Sequence, residues 1–523
     1  MIQQLIQAID LANNPASQAD LNSQALQFLN NTKTANNAPE IFIELIKYAS
    51  RSSQSSQLSS SSSSSSTLVS ATPTSPNNNI YKFVGFQALA ELIPNANINQ
   101  LQFIKSYVIE YVSAALAQAN ISSNNNNNNN TNNTTNNTNL TSDPEYVRNK
   151  VCEIFSILFY FMYGQCNNNL WNTFFQDLMS IFKLEPIITC PSSIINNRVC
   201  QLGLDYFLRI TLQINTEIAD QTFVVNKQIQ QKNNNLKDFM RINDITNLTI
   251  VWLNVLMNLE SVETVINLAL TNVGSFVSWI DINLIVQPQF INSIFKFLDT
   301  NTIACCTCLS EIIAKKMKPA DKLQLLQLLN LTDKITQLFN TQDLEIIENL
   351  AKLVNAIGIE YTIICENASV NESSNNNNAN NNTKNGNKNL NNLTNGNIDP
   401  NNSEYVQMAD TNILENVCPL ILQFLSNEEF FEVNLQVLPF ISSYLSFLKK
   451  NFALGGKPGS AVNLQSRKLT IDQAHLTFCK NLLIVVHNKS LINDNFDIDS
   501  IEEINEFDEN FRSKIKKLLS LLF

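Results

Sequence analysis

Between Ser261 and Phe297 the chain reads SVETVINLALTNVGSFVSWIDINLIVQPQFINSIFKF, and this stretch restricts the possible folds more than any other. Val262, Val265, Ile266, Ala269, Val273, Phe276 and Val277 recur at steps of three and four, which places them on one helix face. A second helix is predicted from Pro288, whose missing N–H costs nothing in a first turn, with Phe290, Ile291, Ile294, Phe295 and Leu298 on its apolar side. The corner between them is Trp279-Ile280-Asp281, where a buried Trp is expected to brace the bend and the Asp to cap the next turn. One amphipathic pair cannot bury its own apolar faces. It needs further pairs on either side.

The same spacing recurs along the chain. Three short helices are predicted before Ser50, the third opened by Pro39, then Ile80–Ile93 and Leu101–Gln118. Asp143 is placed to cap a helix that starts at Pro144 and carries Val147, Val151, Ile154, Phe155, Leu158 and Met162 on one stripe. Leu170–Phe182, Cys200–Gln213, Asn235–Arg241 and Leu248–Leu259 follow, then the opening pair, Thr302–Lys316 and Pro319–Leu331. Helices are expected again at Val406–Phe424, Phe430–Lys449, Ile471–Val486 and Asn510–Phe523. Pairs recur roughly every 40 residues, the period of HEAT or armadillo arrays.

Three low-complexity tracts interrupt this pattern and hold too little apolar surface to offset the entropy of ordering them. The predicted organisation is therefore an all-α, HEAT/armadillo-type helical-repeat superhelical solenoid with disordered Ser- and Asn-rich insertions. Residues 1–121 form N-terminal repeats with a Ser-rich insertion at 51–79, residues 122–142 an Asn/Thr-rich insertion, and 143–368 further repeats. An Asn-rich insertion at 369–403 precedes the repeats of 404–523. A repeat array tolerates such insertions at its turns, because lengthening a loop costs little and each repeat touches only its neighbours. The chain stops at Leu521-Leu522-Phe523 without a Gly, Asn or Pro to end the helix, which predicts that the array is truncated there.

Composition narrows the function classes. With 44% hydrophobic and 15% charged residues the 523-residue chain can bury a large core. Only 10 Gly and 14 Pro appear, too little punctuation for a sheet architecture. The net charge of −11 does not favour a general nucleic-acid binder and gives no reason to expect DNA. Ten scattered cysteines and no secretory leader over Met1–Asn30 point to a reducing compartment. No apolar run approaches the about 18 residues of a spanning helix, so no membrane partner is expected.

Catalytic and metal signals are weak. His475, with Asp472 before it and Cys479 after it, could place three ligands on one side of a helix, but without a fourth ligand a structural or surface role is favoured. Cys305-Cys306-Thr307-Cys308 contains a C-x-x-C inside a predicted helix with no second pair, so core packing is favoured. Nucleophile elbows, zinc-protease motifs, phosphate loops and dinucleotide fingerprints are absent, and neither an enzyme nor a cofactor is expected. Of the basic clusters, Lys315, Lys316 and Lys318 are candidates for phosphate contact; Lys449-Lys450 and Arg512–Lys517 are read chiefly as solvated faces. Asp494–Glu509 is an acidic run, read as a solvated loop.

Several tracts together resemble one family. Tyr146–Phe159 (YVRNKVCEIFSILF), Leu204–Thr211 (LDYFLRIT) and Val273–Phe290 (VGSFVSWIDINLIVQPQF) resemble the transfer-RNA exportins, exportin-T, of the importin-β superfamily. Lys237-Asp238-Phe239-Met240-Arg241, followed by Asn247 and Trp252, is similar too. Lys82-Phe83, Phe86-Gln87 and Leu89 resemble the K-F-x-x-x-Q-x-L element of the N-terminal exportin homology region, which in exportins engages the GTPase Ran in its GTP state. The resemblance implies an N-terminal half of a nuclear export receptor that binds tRNA cooperatively with RanGTP, contacts nucleoporins, and shuttles between nucleus and cytoplasm. It makes Lys82, Gln87, Arg148 and Asn149 candidate Ran contacts and the lysines at 315, 316 and 318 candidate tRNA contacts. The competing expectation is a HEAT-repeat scaffold that binds proteins and carries no RNA.

Overall fold

The computed structural model describes residues 1–58, 78–126, 143–164, 167, 169–195, 197–219, 226–338, 343–376, 402–427, 431–451, 473–490 and 507–522. Most of each predicted insertion, most of the acidic run and Asp472 lie outside these residues. The described elements are helical throughout, and the chain divides into two compact units, Met1–Ile280 and Asp281–Phe523.

The first unit contains α1 (Ile2–Asn13), α2 (Ala19–Lys33), α3 (Ala38–Leu58), α4 (Asn78–Leu92), α5 (Ile98–Asn126) and α6 (Glu145–Met162). Three short helices follow, α7 (Phe174–Ile181), α8 (Pro186–Thr189) and α9 (Pro191–Ile194), then α10 (Arg198–Ala219), α11 (Lys227–Asn243), α12 (Ile245–Asn258) and α13 (Glu263–Val277). Helix α10 is the centre of this unit: it packs against α5, α6, α11 and α13, and every residue from Leu202 to Thr211 is buried. A helix apolar all round requires such enclosure. At Gly203 a Cβ would stand 2.4 Å from the Phe182 carbonyl oxygen, so only glycine admits this approach.

Direction follows from register. Side-chain hydrogen bonds linking α6 to α10 and α10 to α13 join residues 54 to 64 positions apart at every rung, as in Cys152 to Tyr206, Arg209 to Glu145, Thr211 to Asn272 and Asn215 to Ser275. Between α10 and α13 the partners advance together, from Leu208 with Asn272 to Asn215 with Ser275, so these two helices run the same way and are equivalent members of successive repeats. The expected spacing of about 40 residues is too short for this unit, because α7, α8 and α9 are interposed between α6 and α10, and both α11 and α12 between α10 and α13.

The second unit comprises α14 (Pro288–Phe295), α15 (Thr302–Ala314), α16 (Pro319–Leu329), α17 (Leu331–Leu338) and α18 (Leu344–Asn376). Helix α19 (Asn402–Asn412) continues through a wide turn at Ile413–Val417 into α20 (Cys418–Leu425), followed by α21 (Phe431–Asn451), α22 (Gln473–Ser490) and α23 (Ser513–Leu522). Helix α18 is central here and packs on α15, α16, α19 and α21. It falls mostly within the repeats expected over 143–368 but is not among the individually predicted helices, although Ile347, Leu350, Val354 and Ile357 form a buried stripe at steps of three and four. Pro439 lies within α21, and the Phe440 N–H bonds across to Asn355 Oδ1 at 2.9 Å. Gln436 reaches Glu348 at 3.1 Å, so α18 and α21 also run the same way.

Pro288 opens α14 as predicted, and the Asp281 side chain accepts from the Asn283 N–H. Trp279 is half-buried rather than enclosed. The stretch predicted as a helix from Leu170 is helical only from Phe174, because the chain reverses at Gly164 and Asn169, both with positive φ, and Trp171 N–H returns to the Met162 carbonyl. Helices α3, α5 and α18 run on to Leu58, Asn126 and Asn376, beyond the predicted starts of the insertions.

Candidate binding site and the polar ladder beneath it

The candidate Ran residues sit on α4 and α6, and the structure joins three of them through one network. Lys82 is buried, and its Nζ donates to Asp143 Oδ1 at 2.6 Å while Tyr111 Oη donates to Oδ2 of the same carboxylate at 2.6 Å. Burial first, and then the neighbouring Asp143 charge, push the Tyr111 hydroxyl well above its ordinary pKa. Asp143 is therefore not the N-cap of α6. Pro144 occupies that position without a side-chain cap, and the aspartate turns inward to its two partners.

The Asp143 carbonyl accepts from Arg148 Nη1 at 2.9 Å, and Arg148 Nε donates to Asp205 Oδ2 at 3.0 Å. Asp205 is fully buried, and its other oxygen accepts from Arg209 Nε at 3.0 Å. Arg209 Nη1 then reaches Glu145 Oε1 and Asn149 Oδ1, each at 2.8 Å. Burial opposes the Arg209 charge, but Asp205 and Glu145 together outweigh it and its pKa moves up. Lys82 and Arg148 are thus committed to interior ion pairs, and Asn149 to holding Arg209. Gln87 is half-buried on α4 and donates to Glu91 at 2.8 Å.

The ladder continues into the VSWID corner. Thr211 Oγ1 donates to Asn272 Oδ1 at 2.7 Å, and Asn272 Nδ2 donates to the Leu208 carbonyl at 2.9 Å. Trp279 Nε1 donates to Asn215 Oδ1 at 2.7 Å, and Arg241 Nε reaches the Trp279 carbonyl at 3.0 Å. The indole braces the corner through a hydrogen bond and through the Phe276 ring at 5.3 Å. Sequence reasoning passed over Asp205, Arg209, Asn215 and Asn272. The available signal was an Asp and an Arg four apart inside the apolar run LDYFLRIT, a spacing that only makes sense if both charges have partners in the core.

The candidate tRNA residues lie in the second unit, on the turn between α15 and α16. Lys315 is half-buried, Lys316 and Lys318 are exposed, and Lys318 occupies the N-cap of α16. Cys305, Cys306 and Cys308 are all buried in α15, and burial pushes the Cys306 thiol up to about 12. His475 is buried with Nε2 3.0 Å from Asp410 Oδ2, which makes its role structural. Among the described residues no cluster of His, Cys, Asp or Glu could hold a metal ion, and no helix is long and apolar enough to cross a membrane.

The Exportin 1-like protein family model matches residues 144–309, the segment that carries the ladder from α6 to the VSWID corner. Exportin-T of Vanderwaltozyma polyspora is 37% identical over 521 residues, covering 99% of this chain and 42% of the relative. Over nearly its full length the chain is homologous to exportin-T. Exportin-T of Kluyveromyces lactis is likewise 37% identical, over 98% of this chain and 43% of its own length, and that of Saccharomyces cerevisiae 32% identical over 100% and 42%. The chain thus spans about two fifths of the length of these exportin-T relatives. The VSWID corner and the LDYFLRIT helix, on which the family resemblance rests, are the two segments joined by the Asn215–Trp279 hydrogen bond and the Thr211–Asn272 pair.

Proposed function

We propose that this chain is part of a nuclear export receptor that binds tRNA cooperatively with Ran in its GTP state, contacts nucleoporins, and shuttles between nucleus and cytoplasm. The observation that carries this reading is the 37% identity to Exportin-T along 99% of the chain. It is a binding protein rather than an enzyme. Helical repeats supply a broad surface of fixed shape, which suits recognition of an RNA by its backbone and ends. Cooperativity requires that each ligand raise the affinity of the other by the same factor.

Within this reading the Ran-facing surface is the α4–α6 region. Gln87 is the candidate for direct contact, and Lys82, Arg148 and Asn149 shape that surface from beneath through Asp143, Asp205 and Arg209. Lys315, Lys316 and Lys318 remain the candidates for tRNA phosphate. The test is binding of the 523-residue chain to Ran loaded with a non-hydrolysable GTP analogue and, separately, with GDP, by surface-immobilised kinetics. Tight binding of the GTP form alone is expected, with a several-fold loss in Gln87→Ala. Equal affinity for both forms, or none for either, overturns the assignment.

A further inference from the structure

Three aspartates among the described residues are buried in the first unit, and two of them carry an internal cation: Asp143 has Lys82, and Asp205 has Arg148 and Arg209. Asp244, at the junction of α11 and α12, is the third and is equally buried. Its two partners are neutral: Tyr163 Oη donates to Oδ2, and Gln176 Nε2 lies 3.5 Å from Oδ1. A carboxylate offers about four acceptor sites, so two remain.

Asp244 lines a cavity of about 190 Å³ that opens between α7, α8 and α12. The deep part is apolar, formed by Phe175, Met179, Phe207, Leu248 and Val251, while Gln176, Glu185, Ile188 and Asn247 are exposed at its mouth. Among the described residues that line it none is cationic. A hollow of roughly 150 Å³ holds a benzene-sized guest, so this one has room for a single long side chain and not for a folded element.

We infer that this cavity receives an arginine side chain of a partner polypeptide, with its methylene stem on the apolar floor and its guanidinium on Asp244. The stem needs apolar cover and the head needs an anion that no internal cation has neutralised. Asp244 supplies the anion, and Glu185 adds negative charge at the entrance. Arginine fits better than lysine because its fork pairs with a carboxylate through two parallel bonds and its head is more weakly hydrated. Burial holds Asp244 up at about 6, so the arriving cation favours the ionised form and binding expels a proton below that pH.

The test uses the full 523-residue chain with ¹³C-methyl methionine and follows the Met179 resonance as acetyl-Gly-Arg-Gly-amide is added. A saturable shift is expected, at least fivefold weaker for the matching citrulline peptide and for Asp244→Asn, and tighter at pH 7 than at pH 5. Asp244→Asn keeps the Tyr163 hydrogen bond; Ile188→Trp at the exposed mouth blocks entry with the carboxylate intact and should also abolish the shift. No saturable shift, an equal response to citrulline, an unchanged response in both variants, or tighter binding of acetyl-Gly-Phe-Gly-amide than of the arginine peptide would each overturn the proposal.

Discussion

Lys82 and Asp143, 61 residues apart, meet at 2.6 Å with both side chains less than one-tenth exposed, and the pair ties α4 to the start of α6. Breaking a buried pair leaves an uncompensated charge, which costs about 3–5 kcal/mol. Lys82→Met should therefore lower the unfolding free energy by about that amount in chemical denaturation. A loss below about 1 kcal/mol would show that the pair does not hold the two helices. For the same reason Lys82→Glu, which sets a second carboxylate against Asp143, is unsuited to testing partner contact.

Asp205 and Glu145 share Arg209 but differ in burial: the Asp205 side chain is fully buried, whereas that of Glu145 is 64% exposed. Asp205→Ala strands both Arg148 and Arg209 in the core and should cost about 3–5 kcal/mol. Glu145→Gln removes only a screened partner and should stay within about 1 kcal/mol. Denaturation of the two variants side by side checks the contrast, and equal losses would contradict it.

The Trp279 indole N–H donates to Asn215 Oδ1 at 2.7 Å, across the step from α10 to the corner after α13. Asn215→Ala leaves that N–H without its partner at a cost of about 1–3 kcal/mol. Arg241→Ala, an exposed residue, should cost less. Hydrogen exchange of the Trp279 indole proton reads the effect directly: it should accelerate in Asn215→Ala and change little in Arg241→Ala.

The pH dependence of stability carries the signature of Asp244. Its folded pKa, raised by burial to about 6 from an ordinary 3.8, means that the folded state holds the proton more tightly than the unfolded chain. The associated stability is fully present below the ordinary value and is lost as pH rises through about 6. Relative to Asp244→Asn, the parent chain should lose up to roughly 3 kcal/mol between pH 4 and pH 7. A flat difference across that interval would place the carboxyl in contact with solvent.

Helical periodicity made the α13 and α14 faces legible, down to Pro288 at the first turn and Asp281 as a cap, because amphipathic spacing and capping are local properties. The ladder was not legible for the opposite reason. Whether Asp143 caps its own helix or turns toward Lys82 and Tyr111 depends on groups distant in the chain, and local spacing favours the cap. The Ran candidates rest on the family resemblance, which carries no information on burial; Lys82 and Arg148 point inward because Asp143 and Asp205 stand in the interior beside α4 and α6. The repeat spacing exceeds the sequence expectation because extra helices, α7 to α9 and then α11 with α12, lie between the equivalent members. The α18 stripe of Ile347, Leu350, Val354 and Ile357 has a legible helical spacing, but it runs directly into an Asn-rich tract that lacks one.

The most direct measurement is the affinity of the 523-residue chain for labelled tRNA, with and without saturating Ran loaded with a GTP analogue, at one fixed salt concentration. The account predicts that Ran tightens tRNA binding by roughly 5- to 150-fold, the range of typical coupling free energies, and that tRNA tightens Ran binding by the same factor. An identical tRNA dissociation constant in the presence and absence of GTP-loaded Ran would contradict it.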